Sequence, residues 1–97
     1  MRTEILKKLG LTEGESKVYL ALLKLGQSTV GPIVKKSGVT MSKSYQILNR
    51  LEEKGLASQV YKDKVKHFKA ASPEKVLDLI SKQFEELEQR KKEVEKI

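Results

Sequence analysis

The sequence contains no cysteine and only one histidine, His67. The missing thiols exclude disulfides, thiolate chemistry and cysteine-based zinc sites, and a lone imidazole cannot complete a zinc site of the usual kind. No apolar run approaches the roughly 20 residues of a membrane span, and no signal-peptide pattern opens the chain. We therefore expect a cytoplasmic protein without a metal or cofactor. His67 is expected to pack on a strand or to face solvent.

The positive charge of the chain is unevenly placed. The 97 residues carry 20 Lys and Arg against 13 Asp and Glu, a net charge of +7. Residues 1–73 have a net charge of +8 (14 basic, 6 acidic) and residues 74–97 one of −1 (6 basic, 7 acidic). A polyanion-binding body with an interaction helix would show this asymmetry, but so would a lysine-rich surface that only keeps the protein soluble. The carboxylates show no catalytic pairing, so we do not expect an enzyme.

Capping residues and apolar spacing predict four helices in the first half of the chain. Thr12 and Glu15 form a capping box, and Pro32 is tolerated because it falls in the first turn of its helix. Thr40 or Ser42 caps the last of the four, whose Ile47, Leu48 and Leu51 are predicted to face inward. The predicted ranges are residues 3–9, 13–25, 29–37 and 40–54.

The pattern then changes to that of a β-hairpin, with strands over residues 57–61 and 65–70 joined by residues 62–64. Ser72-Pro73-Glu74 is a strong helix-start signal, and nothing breaks the helix from there to Ile97. We predict a mainly α fold with a small β-hairpin. It consists of a winged helix-turn-helix in residues 1–72 and a long C-terminal dimerisation helix in residues 73–97.

The fourth predicted helix carries side chains suited to reading DNA. An α-helix fits the major groove, where Gln and Asn pair with adenine, Lys and Arg with guanine, and Ser and Thr contact phosphate. Tyr45 is ambiguous, since its hydroxyl could reach a phosphate or its ring could be half buried. The candidate DNA-contacting residues are Thr40, Met41, Ser42, Lys43, Tyr45, Gln46, Asn49 and Arg50.

Three lysines, Lys62, Lys64 and Lys66, lie on or beside the predicted hairpin tip. A wing of this kind can lie along phosphates, where lysine needs no sequence code. The alternative is that these lysines only protect an exposed hairpin from edge-to-edge association. The basic neighbouring helix favours DNA contact.

Several sequence runs together resemble the DNA-binding domain of TrmB-like transcriptional regulators. They are residues 11–23 (LTEGESKVYLALL), 37–39 (SGV), 42–43 (SK) and 51–56 (LEEKGL), in that order. The resemblance covers roughly residues 5–72. It implies a dimeric, most often archaeal, DNA-binding regulator whose helix at residues 40–54 reads the major groove.

Three features depart from that family pattern. Met41 stands where a basic residue is common, and Gly31-Pro32 replaces a more usual polar, acidic helix start. Larger members also carry a C-terminal sugar-sensing domain, and the sequence ends at Ile97. Sugar binding is therefore not carried over, and the sequence leaves the small-molecule effector unknown.

The last predicted helix shows the alternating three- and four-residue spacing of a coiled coil. Its seam contains Leu77, Ile80, Phe84, Leu87 and Val94, with Lys91 in the same row. The first apolar residues of the helix, Val76, Leu77, Leu79 and Ile80, could instead pack on the chain's own body. Beyond Phe84 the body has little surface left to receive it, so we predict a coiled-coil homodimer.

The sequence is compatible with three functions. The favoured one is a homodimeric transcriptional regulator that binds a specific, pseudo-palindromic double-stranded DNA site with half-sites about 34 Å apart. A non-specific architectural DNA binder and a winged-helix adaptor that binds protein are the alternatives.

Overall fold

The computed structural model describes residues 3–97, and the elements in that range confirm the predicted fold class. Helices dominate, one antiparallel hairpin follows the fourth of them, and a long helix closes the chain. The element bounds are α1 (Thr3–Lys8), α2 (Glu13–Leu25), α3 (Val30–Ser37), α4 (Met41–Glu53), β1 (Ala57–Lys62), β2 (Val65–Ala70) and α5 (Pro73–Glu95).

Helix α2 is the centre of the body, and the predicted capping box begins it. The Thr12 Oγ1 accepts a hydrogen bond from the Glu15 N–H at 3.1 Å, and the Glu15 Oε1 accepts one from the Thr12 N–H at 2.8 Å. Further along the helix, the Tyr19 hydroxyl donates to the Ala71 carbonyl at 3.0 Å. This bond ties α2 to the segment that leads into α5.

The hydrophobic core draws on every helix and on the hairpin. The predicted inward residues of α4 are all buried, and Val18 and Leu22 of α2 pack in the same cluster. Each fully buried side chain of this size contributes about 1.5–3 kcal/mol relative to its exposed state. The members of this cluster are Leu6, Leu11, Val18, Tyr19, Leu22, Ile33, Ile47, Leu48, Leu51, Leu56, Ala57, Phe68 and Val76.

A tight turn sets the angle between α3 and α4. Gly38 has φ 74° and ψ 10°, the left-handed conformation that glycine adopts without steric cost. Its N–H donates to the Val34 carbonyl at 2.9 Å, which ends α3. Thr40, not Ser42, is the N-cap residue of α4, but its hydroxyl makes no capping hydrogen bond.

The hairpin turn is tighter than predicted. Lys62 pairs with Val65, so Lys62 belongs to β1 and only Asp63 and Lys64 form the turn. Both turn residues have positive φ, 51° and 66°. This is the arrangement of a type I′ turn, which matches the right-handed twist of paired strands. The sequence pattern missed it because Asn-Gly, and not Asp-Lys, is the usual signal.

The positive φ of Lys64 predicts that one substitution in the turn stabilises the protein. Replacing Lys64 with glycine should raise the free energy of unfolding by about 0.5–1 kcal/mol, because glycine adopts positive φ without the penalty that lysine incurs. Chemical denaturation measures the difference. The control is Lys62→Gly, which removes the same charge from a strand position and should destabilise the protein. Equal effects of both variants would contradict the assigned turn.

A single bridge adds a third chain segment to the hairpin, and the sequence pattern did not indicate it. Ser28 and Phe68 exchange two backbone hydrogen bonds, of 2.9 Å and 2.7 Å. The bridge fixes the hairpin against the segment before α3. The wing is therefore held to the helix-turn-helix by backbone as well as by side chains.

Helix α5 turns two apolar faces in different directions. Val76 is buried and Leu79 packs partly against the core, and the Gln83 side-chain amide donates to the Leu9 carbonyl. Leu77 and Ile80 remain exposed. Packing on the body thus accounts for one face only. In residues 3–97 no helix is apolar enough over a sufficient length to cross a bilayer.

Candidate nucleic-acid interface

Helix α4 separates its core residues cleanly from its exposed ones. Ser44, Ile47, Leu48 and Leu51 are buried, which is one face of a helix at three- and four-residue spacing. The other face holds every predicted contact residue of the helix and its cap. The exposed residues are Thr40, Met41, Ser42, Lys43, Tyr45, Gln46, Asn49 and Arg50.

The start of α4 favours anions. Its first turn contains no acidic residue, and the Thr40 hydroxyl leaves the first backbone N–H groups uncapped. Ser44 points inward, where its hydroxyl donates to the Val39 carbonyl at 3.3 Å. The positive end of the helix dipole and free N–H groups together attract phosphate oxygens.

Tyr45 links α4 to the wing. Its ring packs edge-on against Phe68 of β2, with 6.4 Å between centroids, and 44% of the residue stays exposed. The half-buried ring proposed from the sequence is therefore present. A phosphate contact by its hydroxyl remains a prediction.

The wing lysines do not share one environment. Lys62 and Lys64 are exposed at the tip of the hairpin. The Lys66 ammonium lies over the Tyr61 ring, 5.8 Å from its centroid, so a cation–π contact orients this side chain. His67 is partly buried, and its Nδ1 lies 3.0 Å from the Val65 carbonyl oxygen.

Lys17 of α2 is a basic residue beside α4 that sequence reasoning missed. It lines a cleft together with Thr40 and Lys43, next to the start of α4. A second cleft joins Lys17 to Lys24 and Lys36. Within residues 3–97, none of these four lysines has a carboxylate within 4.0 Å. The seven-residue spacing of Lys17 and Lys24, which puts both on one helix face, was the available signal.

An ion pair fixes the end of α4 to the start of α2. The Lys54 Nζ lies 3.0 Å from the Glu15 Oε1 and 3.1 Å from the Oε2. The Glu15 side chain is 1% exposed and that of Lys54 is 35% exposed. Burial raises the pKa of Glu15, but hydrogen bonds from the Thr12 N–H and the Lys54 ammonium outweigh it. The pKa of Glu15 is therefore lower than its ordinary value of 4.5.

Replacing Glu15 with glutamine should lower the free energy of unfolding at pH 7 by about 1–2 kcal/mol, since Lys54 stays partly hydrated. The ion pair stabilises the fold fully above the unfolded-state pKa near 4.5, and this contribution disappears as pH falls through the lower folded pKa. The gap between wild type and variant should accordingly narrow below pH 4.5. Denaturation at several pH values measures it.

The matched control for this variant is Glu13→Gln, because the Glu13 carboxylate is largely exposed and pairs with Lys7 at the surface. Exposed pairs contribute little, so we expect almost no change. A gap between wild type and Glu15→Gln that stays constant down to pH 3 would contradict the role of this ion pair.

The predicted seam of α5 is exposed along its whole length. Its apolar members are 42–67% exposed, and the body covers the opposite side of the helix only near its start. We call these residues the α5 stripe. They are Leu77, Ile80, Phe84, Leu87 and Val94.

Residues 3–97 contain no cluster of three His, Asp or Glu side chains that could hold a metal ion. The features that stand out are an exposed polar helix, a lysine-bearing wing and an uncovered apolar stripe.

Comparison with known proteins gives a consistent family. Residues 6–74 match the family model described as sugar-specific transcriptional regulator TrmB. A curated relative from Pyrococcus furiosus, the HTH-type sugar sensing transcriptional regulator TrmBL1, is 39% identical over 83 residues. That alignment covers 82% of this chain and 24% of TrmBL1. The chain thus spans about a quarter of the length of this relative.

Solved structures show the same fold. TrmBL2, described as an archaeal chromatin protein with a novel mode of DNA binding, superposes with a TM-score of 0.74 at 28% identity. The match covers 97% of this chain and 39% of TrmBL2. A protein of Methanosarcina mazei Go1, described as a possible transcriptional regulator, gives a TM-score of 0.73 at 21% identity, over 91% of this chain and 79% of its own.

Proposed function

The chain belongs to the TrmB family of transcriptional regulators, and on this premise we propose that it binds a specific double-stranded DNA site as a homodimer. The observation that carries the proposal is the exposed face of α4, with its eight contact candidates on one side and its core residues on the other. TrmBL1 is described as a transcriptional regulator, which agrees with a protein that binds DNA and performs no catalysis.

The α4 helix is the sequence-reading element in this proposal. Gln46, Asn49 and Arg50 carry the donor and acceptor groups that distinguish base pairs in the major groove. Ser42 and Lys43, at the uncapped start of the helix, suit phosphate oxygens. Contacts to phosphate set the orientation of the helix, and contacts to base edges provide specificity.

The wing and α2 supply the phosphate contacts that flank α4. Lys62 and Lys64 project from the hairpin tip, and Lys17 lies in the cleft beside Lys43. The cation–π contact of Lys66 with Tyr61 holds a third wing lysine in place. These contacts do not depend on sequence, because every nucleotide presents the same phosphate.

Residues 73–97 are the dimerisation segment in this proposal, and residues 1–72 the DNA-binding domain. The α5 stripe leaves five large apolar side chains uncovered on one side of a helix of 23 residues, and a contiguous exposed apolar surface of this kind is typical of an interaction site. Pairing two stripes would present two α4 helices to one duplex. A twofold protein with two reading helices fits a pseudo-palindromic site whose half-sites are about 34 Å apart.

The dependence of DNA affinity on salt tests the electrostatic part of the proposal. If a dimer contacts about ten phosphates, the log of the association constant should fall against log salt with a slope near −9. Fluorescence anisotropy with a labelled duplex between roughly 50 and 200 mM salt measures the slope. An affinity that does not change with salt would exclude phosphate contacts as its source.

A non-specific architectural role is the second candidate, and the likeness to TrmBL2 favours it, since TrmBL2 is described as a chromatin protein. The same exposed lysines would serve such a role without base contacts. Equal affinity for selected and random duplexes at matched salt would identify this function. A preference of about 1,000-fold or more, the usual range for specific binders, would identify a regulator.

A further inference from the structure

The two ends of the α5 stripe differ in shape. At its start the helix lies beside α1, and the two form a concave apolar cleft of about 400 Å³. Beyond Gln83 the stripe continues along the distal rod of the helix, where Leu87 still borders a cleft with Lys8, Leu9 and Gly10. Both Leu87 and Val94 are more than half exposed. We call the concave end the α1–α5 cleft. Its lining is Ile5, Leu9, Pro73, Val76, Leu77 and Ile80, with Glu74 at the rim.

We propose that two copies of the chain pair along α5 in antiparallel orientation, so that the rod end of each copy fills the α1–α5 cleft of the other. The proposal deepens the dimer of the proposed function and rests on it. It commits to a second copy of this chain as the occupant of the cleft.

The spacing of the stripe allows this pairing without a gap. Its positions, including Lys91, alternate by three and four residues and give the same series from either end. An antiparallel copy therefore sets Leu77 against Val94 of the partner subunit, and Phe84 against Leu87 of the partner subunit. All seam positions align over a length of about 26 Å at 1.5 Å per residue.

Shape favours the antiparallel arrangement over the parallel one. In a parallel pair related by a twofold axis along the helices, each α1–α5 cleft would face the other cleft and leave an apolar void. In the antiparallel pair, Val94 and the aliphatic stem of Lys91 meet the concave surface at Leu77 and Ile80 of the partner subunit. Filling such a cleft restores dispersion contacts that an empty one lacks.

Charge favours the same orientation. A parallel pair in register places Lys91 directly opposite Lys91 of the partner subunit, which brings two like charges into the seam. The antiparallel pair places Lys91 against Ile80 of the partner subunit, where the aliphatic stem of the lysine can pack and its ammonium group reach water. Lys91 in the seam then destabilises the dimer only slightly.

The antiparallel dimer would set its two DNA-binding domains at opposite ends of the paired helices. The molecule is 55 Å long, and α5 forms much of that length. Two domains separated along such a rod can reach half-sites one helical turn apart on the same side of a duplex.

Disulfide trapping tests the orientation directly, because the sequence has no cysteine of its own. The Leu77→Cys and Val94→Cys variants are expressed separately and are also co-expressed, with a mass tag on one of them. Each preparation is then oxidised. The antiparallel pair predicts a disulfide between the two variants when they are co-expressed, and none when either is expressed alone. In that pair the two copies of position 77, like those of position 94, would be about 25 Å apart, far beyond the roughly 7 Å that a disulfide can span.

A second pair of cysteine variants serves as a control, because the first pair shortens two apolar seam residues and so weakens the packing of the dimer. Ile80→Cys with Lys91→Cys removes one charge and one apolar side chain, and it should give the same pattern. Self-crosslinking of any single variant would show parallel pairing and overturn the inference. Absence of every crosslink, in both pairs, would show that the stripe does not pair and would overturn it as well.

Duplex binding by the wild-type protein, measured beside that of the cysteine variants, separates the two claims. A crosslink of the antiparallel pattern in a protein that binds no duplex would contradict the proposed function alone. Specific duplex binding by a protein that crosslinks in the parallel pattern would contradict the inference alone.

Discussion

Replacing Phe84 with aspartate is expected to convert a dimer into a monomer and to lower DNA affinity by about a hundredfold or more. Phe84 is the largest side chain of the α5 stripe and lies near its middle, 64% exposed in the single chain. A buried carboxylate opposite the partner's Leu87 would be unpaired, which pairing cannot tolerate. Loss of the second DNA-binding domain removes the gain from simultaneous binding, typically a factor of about 10²–10⁴.

Light scattering measures the mass of this variant, and fluorescence anisotropy its affinity. The matched control is Gln89→Asp, which introduces the same charge on the exposed α5 surface outside the stripe. It should remain dimeric with nearly unchanged affinity. A dimeric Phe84→Asp protein would show that the chain associates through another surface.

Replacing Arg50 with alanine is expected to weaken binding to the selected site by about 30-fold or more and to relax its base preference. A bidentate contact to a base is worth about 1–3 kcal/mol, and the substitution removes one from each half of a dimer. Arg50 is exposed on the last turn of α4 and has no ion pair within residues 3–97. Binding to a panel of single-base variants of the site measures the change in preference.

The comparison for Arg50→Ala is Lys64→Ala in the wing. The wing variant should weaken binding to every duplex by a similar factor and reduce the salt slope by about one for each phosphate that is no longer neutralised. Lys92→Ala, on the distal part of α5 outside the stripe, controls for the removal of a positive charge. If the wing variant changed base preference and Arg50→Ala did not, the roles of α4 and the wing would be reversed.

The parts of the fold that sequence alone predicted are those with local causes. Thr12 and Glu15 lie three residues apart, and their capping box follows from that spacing. The inward row of Ile47, Leu48 and Leu51 likewise depends on neighbours within one or two helical turns. Such signals survive in a single sequence because the residues that interact are close along the chain.

The features that were missed join distant parts of the chain. Glu15 forms an ion pair with Lys54, which lies 39 positions further along the chain. Ser28 bridges to Phe68 through backbone groups, which carry no sequence signal. The presence of Lys17 in the cleft beside Lys43 depends on how α2 and α4 pack. Periodicity predicts which face of each helix is buried, but it does not say which residues of two helices meet.

Helix α5 shows both what periodicity predicts and what it leaves open. The seam spacing predicted the exposed stripe, and Leu77 and Phe84 lie where it placed them. It left open which of the first apolar residues pack on the body, and the structure assigns Val76 and Leu79 to that role. The cleft beside α1 required the position of Ile5, which no pattern within α5 contains.

Selection of bound duplexes from a random pool tests the central claim most directly. We predict an enriched inverted repeat whose half-sites are about 10 base pairs apart from centre to centre, with base positions that lose their preference in the Arg50→Ala protein. A bound pool with the same sequence distribution as the starting pool would contradict recognition by α4.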